Sequence, residues 1–560
     1  MSIDSDTLYT AITFAPVQGF IEKSRKLRDL YGSSFILSYL ANALCDAARN
    51  HAQRQGHPID DPYEGYPVIS PALIGVTQGT PNLIVVAGEF PQATAQGAFD
   101  QAWSAITTVC RSAIEQKLKE YDYRYWQREW SLWESHAWEF FHATGNSTDD
   151  AKTNLFQVKR KRNWTGINWT GESSTLSGAD TIAYPNMNAM TNPKQQNIRE
   201  IEEKIKEYYQ RLSQCWEESI IDPREQLSIP ELIKRLVTVE NVTGTLLNVE
   251  NPRSFQQLNR WKEDQSPDDA DRENAKRWTG WFLGDGDRAS DFLRNCTDEE
   301  LHHFSEQMRN WGNNLKHHLP RSEKDRRSLD RDGRIIYAGG DDFLGVLYRN
   351  PPDSELTPKE CLHWFYTFKP EIWHQPSKPI TVSVGFVWAA PTVPQRDVLQ
   401  HCREAEKSAK QSGRDRIALR ILFNSGTYLE WVCPWWLLQP LLEGYRDRNQ
   451  VQGNQANWTH LYNDIAVLES RHAFQGDQTE VAFALLAVYF PEELVEKLRS
   501  PTTWFNGSEQ NTTGILGAKE SFLQPKSQHL NQTQVNTALN TWIINLAKVG
   551  FHLCQVQTSS

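Results

Sequence analysis

Residues 335–348 read Ile335-Ile336-Tyr337-Ala338-Gly339-Gly340-Asp341-Asp342-Phe343-Leu344-Gly345-Val346-Leu347-Tyr348. Two apolar, β-prone runs flank two glycines and two aspartates, and that pattern predicts a β-hairpin. The charge at its tip is unusual. Two carboxylates about 4 Å apart repel by about 4 kcal/mol at an effective dielectric of about 20. Aspartate is also a good turn former, so a solvated tip explains the pair as well as a divalent-metal site does. The stretch alone leaves both readings open.

The flanking sequence bears on the choice. Trp278 to Leu283 reads as a strand running into Gly284-Asp285-Gly286-Asp287. Helical segments follow over about Ala289–Cys296 and Thr297–His318, the second opening on a Thr-Asp-Glu-Glu cap pattern. Beyond the hairpin come a helix near Thr357–Tyr366, an alternating strand Ile380–Trp388, a helix Arg396–Gln411 and a last strand Ile417–Phe423. Central pairing of these strands would bring Asp285, Asp341 and Asp342 to one end of a sheet, as two-metal nucleotidyl transfer requires. Gly339 and Gly340 would let the backbone approach phosphate oxygens. Lys410, at the end of its helix, reads either as a cation for phosphates or as a surface lysine. Asp287 reads either as a second metal ligand or as a turn residue.

The N-terminal half has a comparable layout. Tyr9–Ala15 is a strand, Pro16-Val17-Gln18-Gly19 breaks it, and Phe20, Leu27, Leu30, Leu37 and Leu44 recur at helical spacing. A strand-turn-strand candidate lies in 75–90, and a helix is predicted over Ala93–Lys119. Tyr123–Phe141 is dense in Trp and permits a helix or a strand pair. Gly145–Pro193 is polar and aperiodic and reads as a surface insertion, with the basic run Lys159-Arg160-Lys161-Arg162 as a solvated patch or a phosphate-backbone contact. Ile198–Cys215 forms an amphipathic helix, and Ser228-Ile229-Pro230-Glu231 opens another. Glu250–Asn274 reads as a linker. Laying Tyr9–Gln18 on Trp278–Asp287 sets Pro16 opposite Asp285 and Gln18 opposite Asp287, and Pro81-Asn82 then falls near the place of Asp341-Asp342.

With these motifs in hand, the chain resembles the large, polymerase-like subunit of type III CRISPR effector complexes, in the Cmr (III-B) form. The resemblance rests on Pro16-Val17-Gln18-Gly19-Phe20-Ile21, Ser24-Arg25, Asp29-Leu30 and Gly32-Ser33, on Asp285–Asp287, on Gly339–Asp342 and on the helix ending at Lys410, in that order. It implies an α+β fold of two ferredoxin-like palm (nucleotidyl-cyclase-like) domains with a helical linker and a helical C-terminal domain. The implied division is 1–220 for a first, degenerate palm with an insertion at about 146–195, 221–270 for a helical segment and linker, 271–432 for the second palm, and 433–560 for the helical domain. The implied activity is joining ATP into cyclic oligoadenylate when target RNA binds. Asp285, Asp287, Asp341 and Asp342 would hold Mg²⁺ or Mn²⁺, and Gly284, Gly286, Gly339, Gly340 and Lys410 would meet the nucleotide. The implied partners are the backbone, small helical and guide 5′-end-binding subunits, with guide and target RNA.

The sequence departs from that family at three places. The first strand starts by Tyr9 and no His-Asp dipeptide occurs anywhere in the sequence, so HD-type DNA cleavage is not expected. The eight cysteines include no CxxC pair, so no zinc is expected. Ala289-Ser290 stand where Met-Gly often follows Asp-Gly-Asp. Net charge −11 excludes a protein that coats nucleic acid indiscriminately. The longest clean apolar run, Val481–Phe490, is half a membrane span, so a cytoplasmic protein without membrane contact is expected. Two other functions fit less of the chain: a non-catalytic nucleotide-binding scaffold of the same complex, and a stand-alone cyclase making cyclic dinucleotides.

Overall fold

The computed structural model describes residues 8–56, 67–71, 80–162, 171–187, 189, 197–216, 220–244, 277–294, 296–321, 331–349, 354–374, 379–448, 457–475, 478–506, 513–524 and 529–554. The expected linker at Glu250–Asn274, and residues 75–79 of the first strand-turn-strand candidate, lie outside them. The chain divides into two compact units. One is Met1–Asn259 with Leu293–Gly312 and Ile336–Gly340, and the other is Arg260–Phe292 with Asn313–Ile335 and Asp341–Ser560.

In the first unit, β1 (Tyr9–Ala15), β2 (Val68–Ser70), β3 (Ile84–Ala87) and β4 (Glu139–Gly145) form a sheet ordered β2-β3-β1-β4, with antiparallel pairs throughout. Helix α1 (Leu27–Arg54) connects β1 to β2, and α2 (Gln92–Lys117) with the helix Arg124–His136 connects β3 to β4. This is the split β-α-β arrangement of a ferredoxin-like fold. All seven residues of β1 are buried, because both faces of the strand are covered. Ile12 and Phe14 face the core shared with α1 and α2, while Tyr9, Ala11 and Ala15 join Ala151 and Leu155 on the other side.

Ala151 and Leu155 belong to α3 (Thr148–Arg160), which corrects the reading of 145–160 as irregular insertion. The Ser147 hydroxyl accepts the Asp150 N–H at 3.1 Å, acids fill the first turn, and Lys159 and Arg160 fill the last. The basic run is therefore largely a helix C-terminus. The Trp-rich stretch resolves into a helix followed by strand β4, with Trp126 and Trp130 in the core.

The N-terminal signature residues form a joint between α1 and α4 (Ile229–Leu236), which opens on the Ser228/Glu231 capping box. Asp29 is fully buried, and its Oδ1 accepts Arg235 Nε at 2.9 Å. Burial alone would raise the Asp29 carboxyl, but the Arg235 charge outweighs it and holds the carboxyl below its ordinary range. Gly32 lets the helices touch, since a Cβ there would lie 1.9 Å from the Lys234 carbonyl oxygen.

The second unit is built on β5 (Thr279–Gly286), β7 (Asp342–Leu347), β8 (Val382–Ala389), β9 (Arg416–Leu422) and β10 (Tyr428–Pro434). With β6 (Arg334–Gly339) they form a six-stranded sheet ordered β10-β9-β8-β5-β7-β6. The segment β8-β5-β7-β6 repeats the strand order of the first sheet. Helix α5 (Pro358–Thr367) lies between β7 and β8 in sequence, and α6 (Gln395–Gln411) makes the crossover to β9, which runs parallel to β8.

The sheet does not end at β9 as the sequence predicts. β10 returns through a turn with Gly426 at φ 80° and pairs along the whole of β9. Helix α7 (Gln532–Cys554) reaches β10 with Trp542, whose Nε1 donates to the Val432 carbonyl at 2.7 Å. Further helices occupy Trp435–Glu443, Thr459–Ser470, Glu480–Tyr489 and Glu492–Arg499. Among the described residues no helix is long and apolar enough to cross a membrane.

Arg235→Met leaves the Asp29 charge buried without its partner and should cost about 3–5 kcal/mol. Asp29→Asn made in the same chain should recover part of that loss. Urea denaturation of the three proteins reads both effects.

Candidate metal centre

Three aspartates meet at one end of the second sheet. In the β5–β7 ladder Asp285 lies directly opposite Asp342, and the Asp341 carbonyl accepts the Gly286 N–H at 3.1 Å. One carboxylate oxygen from each of Asp285, Asp341 and Asp342 lies within 4.8 Å of the others. Among the described residues this is the only such group of acids, histidines or cysteines.

The glycines on either side of Asp285 serve packing. A Cβ on Gly284 would lie 2.1 Å from the Phe343 ring. On Gly286 it would lie 2.5 Å from Ile380 Cδ1 and 2.9 Å from Asp341 Cβ, so the missing side chain is what lets Asp341 approach. Gly340 takes φ 62° in the hairpin turn, beside Gly339 at the end of β6.

The crowding shows in proton affinity. Loss of water and then the Asp285 charge push the Asp341 carboxyl up to about 6. Asp342 is raised well above its ordinary range by desolvation, then by its hydrogen bond to Asp285 and the Asp285 charge.

Lys410 offsets part of the repulsion. Its Nζ pairs with Asp285 Oδ2 and with Glu406 Oε1, the latter at 2.6 Å. It is thus a half-buried counter-ion to the acids rather than a free surface lysine. Burial opposes its charge, yet the two carboxylates win and its pKa is raised. Glu406 was missed in the sequence, although the Glu406/Lys410 spacing is that of a helical ion pair.

Asp287 does not join the cluster. The strand ends at Gly286, and the Asp287 side chain turns toward the start of β8. Its Oδ1 accepts the Ser383 hydroxyl at 2.7 Å, and its Oδ2 accepts the Thr381 hydroxyl and the Asp415 N–H, each at 2.9 Å. Of the two readings of Asp287, second metal ligand or turn residue, the contacts are those of a turn residue, and it stands outside the three-acid group. Ala289 is buried at the start of a short helix, directly after Arg288 at φ 55°.

Two family models match the chain. CRISPR-associated protein Cmr2, N-terminal, covers residues 9–220. Cas10/Cmr2, second palm domain, covers residues 279–418, which include all three clustered aspartates and Lys410. The chain belongs to the Cas10/Cmr2 family. Similar solved structures include "Type III-B Cmr-beta Cryo-EM structure of the Apo state", 11% identical over 96% of this chain and 81% of that one, TM-score 0.49. "Crystal structure of Csm1-Csm4 cassette in complex with AMPPNP" is 12% identical over 97% and 70%, TM-score 0.45. "Crystal structure of Csm1 in T.onnurineus" is 13% identical over 97% and 70%, TM-score 0.41. A comparison with curated proteins gives no match.

In this palm, a raised Asp341 pKa means that ionising the carboxyl costs stability as pH climbs from about 4 to about 6, and the cost persists above that. Asp341→Asn should therefore stabilise the chain by about 1 kcal/mol at pH 7.5 without added cation. The gain should vanish near pH 4, where the native aspartate is itself protonated. Denaturation midpoints at the two pH values measure the difference.

Proposed function

We propose that this chain is the catalytic large subunit of an RNA-guided type III CRISPR complex and makes cyclic oligoadenylate from ATP when target RNA binds. The observation that carries this reading is the convergence of Asp285, Asp341 and Asp342 at the end of the β5–β7 ladder in a Cas10/Cmr2 second palm.

Carboxylates are the hard oxygen donors that Mg²⁺ and Mn²⁺ prefer, and their raised proton affinity marks a site short of positive charge. The three aspartates fit such ions and would hold them. Bound there, divalent cations would activate an attacking ribose hydroxyl and neutralise a triphosphate. The chain's own residues have simpler tasks. The ladder fixes Asp285 against Asp342, Gly286 admits Asp341, and the Lys410 ion pair orients Asp285. Nucleotidyl transfer needs this positioning more than it needs a protein nucleophile.

The first unit supports nucleotide binding at most. At the matching end of β1 stand Pro16 and Asn82, and the Asn82 amide donates to Thr13 Oγ1 at 3.1 Å and to the Phe14 carbonyl at 3.3 Å. A neutral amide closes that end. The partners on this reading are the backbone, small helical and guide 5′-end-binding subunits, together with guide and target RNA.

The test is a reconstituted complex given guide RNA, ATP, Mg²⁺ or Mn²⁺ and matching target RNA. Cyclic oligoadenylate should appear only with target, and the double change Asp341→Ala with Asp342→Ala should lower it at least about 100-fold. Product without guide or target would point to a stand-alone cyclase. Full activity in the double variant would sink the assignment.

A further inference from the structure

Asp287, only 4% exposed, holds a turn rather than facing the acidic cluster. The N–H that its Oδ2 accepts belongs to Asp415, in the connection between α6 and β9. That connection passes through three successive residues at positive φ: Gly413 at 121°, Arg414 at 65° and Asp415 at 51°. Glycine takes this conformation freely and aspartate tolerates it, whereas arginine takes it when its surroundings impose it.

The imposing contacts come largely from the C-terminal part of the same unit. Asn506 Nδ2 donates to the Gly413 carbonyl at 3.1 Å. The buried Arg416 guanidinium donates to the carbonyls of Gly514 at 2.9 Å and Ile515 at 3.1 Å. Thr513 Oγ1 donates to Asp415 Oδ2 at 3.1 Å, and Lys369 Nζ reaches the same oxygen at 2.6 Å. Gly517 sits so close that a Cβ there would lie 1.8 Å from the Ser412 carbonyl oxygen. Lys410, which grips Asp285, is two residues before Ser412.

We propose that Asp287 and Asp415 are positioning residues. Through the 413–415 turn they couple the seat of the C-terminal segment to the Lys410–Asp285 pair, and so set the geometry in which the cluster takes a divalent cation. This rests on the cation-site reading given above. It makes Asp287 a residue that acts through Lys410 and Asp285, and it brings the segment around 513–517 into the control of the site.

The experiment is Mn²⁺ binding by the full-length chain, followed by electron paramagnetic resonance, for Asp287→Asn, Gly517→Ala, their combination and Asp285→Asn. Each of the first two should weaken Mn²⁺ by about 10-fold, as outer-sphere changes do. The combination should be no more than about 2-fold worse than either alone, because both act through one turn. Asp285→Asn should lose more than any of them. In the reconstituted complex, Asp287→Asn should lower kcat for ATP and leave KM within about 2-fold.

Multiplying effects, with Asp287→Asn as damaging as Asp285→Asn, would make Asp287 a ligand and overturn the proposal. Unchanged Mn²⁺ affinity in both single variants would also overturn it, leaving the turn purely structural. Should Gly517→Ala fail to fold by circular dichroism, Thr513→Val replaces it in the cycle. Absence of Mn²⁺ binding by the unaltered chain would instead refute the cation site itself, a result distinguishable from either of these.

Discussion

The antiparallel register of β5 on β7 is the constraint from which the site follows. It sets Asp285 across from Asp342 through backbone hydrogen bonds, whatever the carboxylates themselves prefer. β5 is also paired on its other side, along its whole length, with β8. A slip of one residue would turn every buried side chain of the strand to the opposite face, so the register is held against the repulsion it creates. The local price is met by small groups and one cation: Gly284 yields to Phe343, Gly286 yields to Asp341, and Lys410 supplies charge.

The two units separate the requirements of folding from those of chemistry. Both place their strands in the same order, yet one closes the end of its central strand with the Asn82 amide and the other leaves three acids there. The acids are therefore an addition to a fold that is complete without them. The reverse holds for the N-terminal signature around Asp29 and Gly32. Dense in polar and charged residues, it has the look of a binding motif, but the structure uses it to join two helices.

Most of both sheets was legible, β1 and β5 as short runs that end at Pro16 and at Gly284-Asp285-Gly286-Asp287, the hairpin by its Gly-Gly-Asp-Asp turn, and α6 by its helical periodicity. β4 was obscured by tryptophans whose spacing suits either structure, and α3 by its polar composition, although Ser147 and the acids after it were a readable start signal. β10 carries Glu430 and an exposed Tyr428, which weaken its apolar alternation. In the site, Asp285, Asp341 and Asp342 were readable because hairpin and strand ends announce themselves. Asp287 was left between metal ligand and turn residue, because the sequence does not show that the strand stops at Gly286. The partners of Asp415 were not readable at all, since they lie 46, 98 and 128 positions away along the chain.

The long indole contact between α7 and β10 has a consequence for how the chain can be divided. Trp542 donates to the Val432 carbonyl and packs at a tilt against Trp431, with ring centroids 5.4 Å apart, at the outer edge of the six-stranded sheet. Arg416, on the neighbouring strand, donates through Nε to the Arg414 carbonyl, but both of its terminal nitrogens find acceptors after residue 510. A palm cut out at the end of its last strand would deprive the terminal nitrogens of a buried guanidinium of their acceptors and leave a raw apolar edge. The stretch recognisable as a palm is thus a unit of descent rather than a unit of folding, and its stability is written partly in the last fifty residues of the chain.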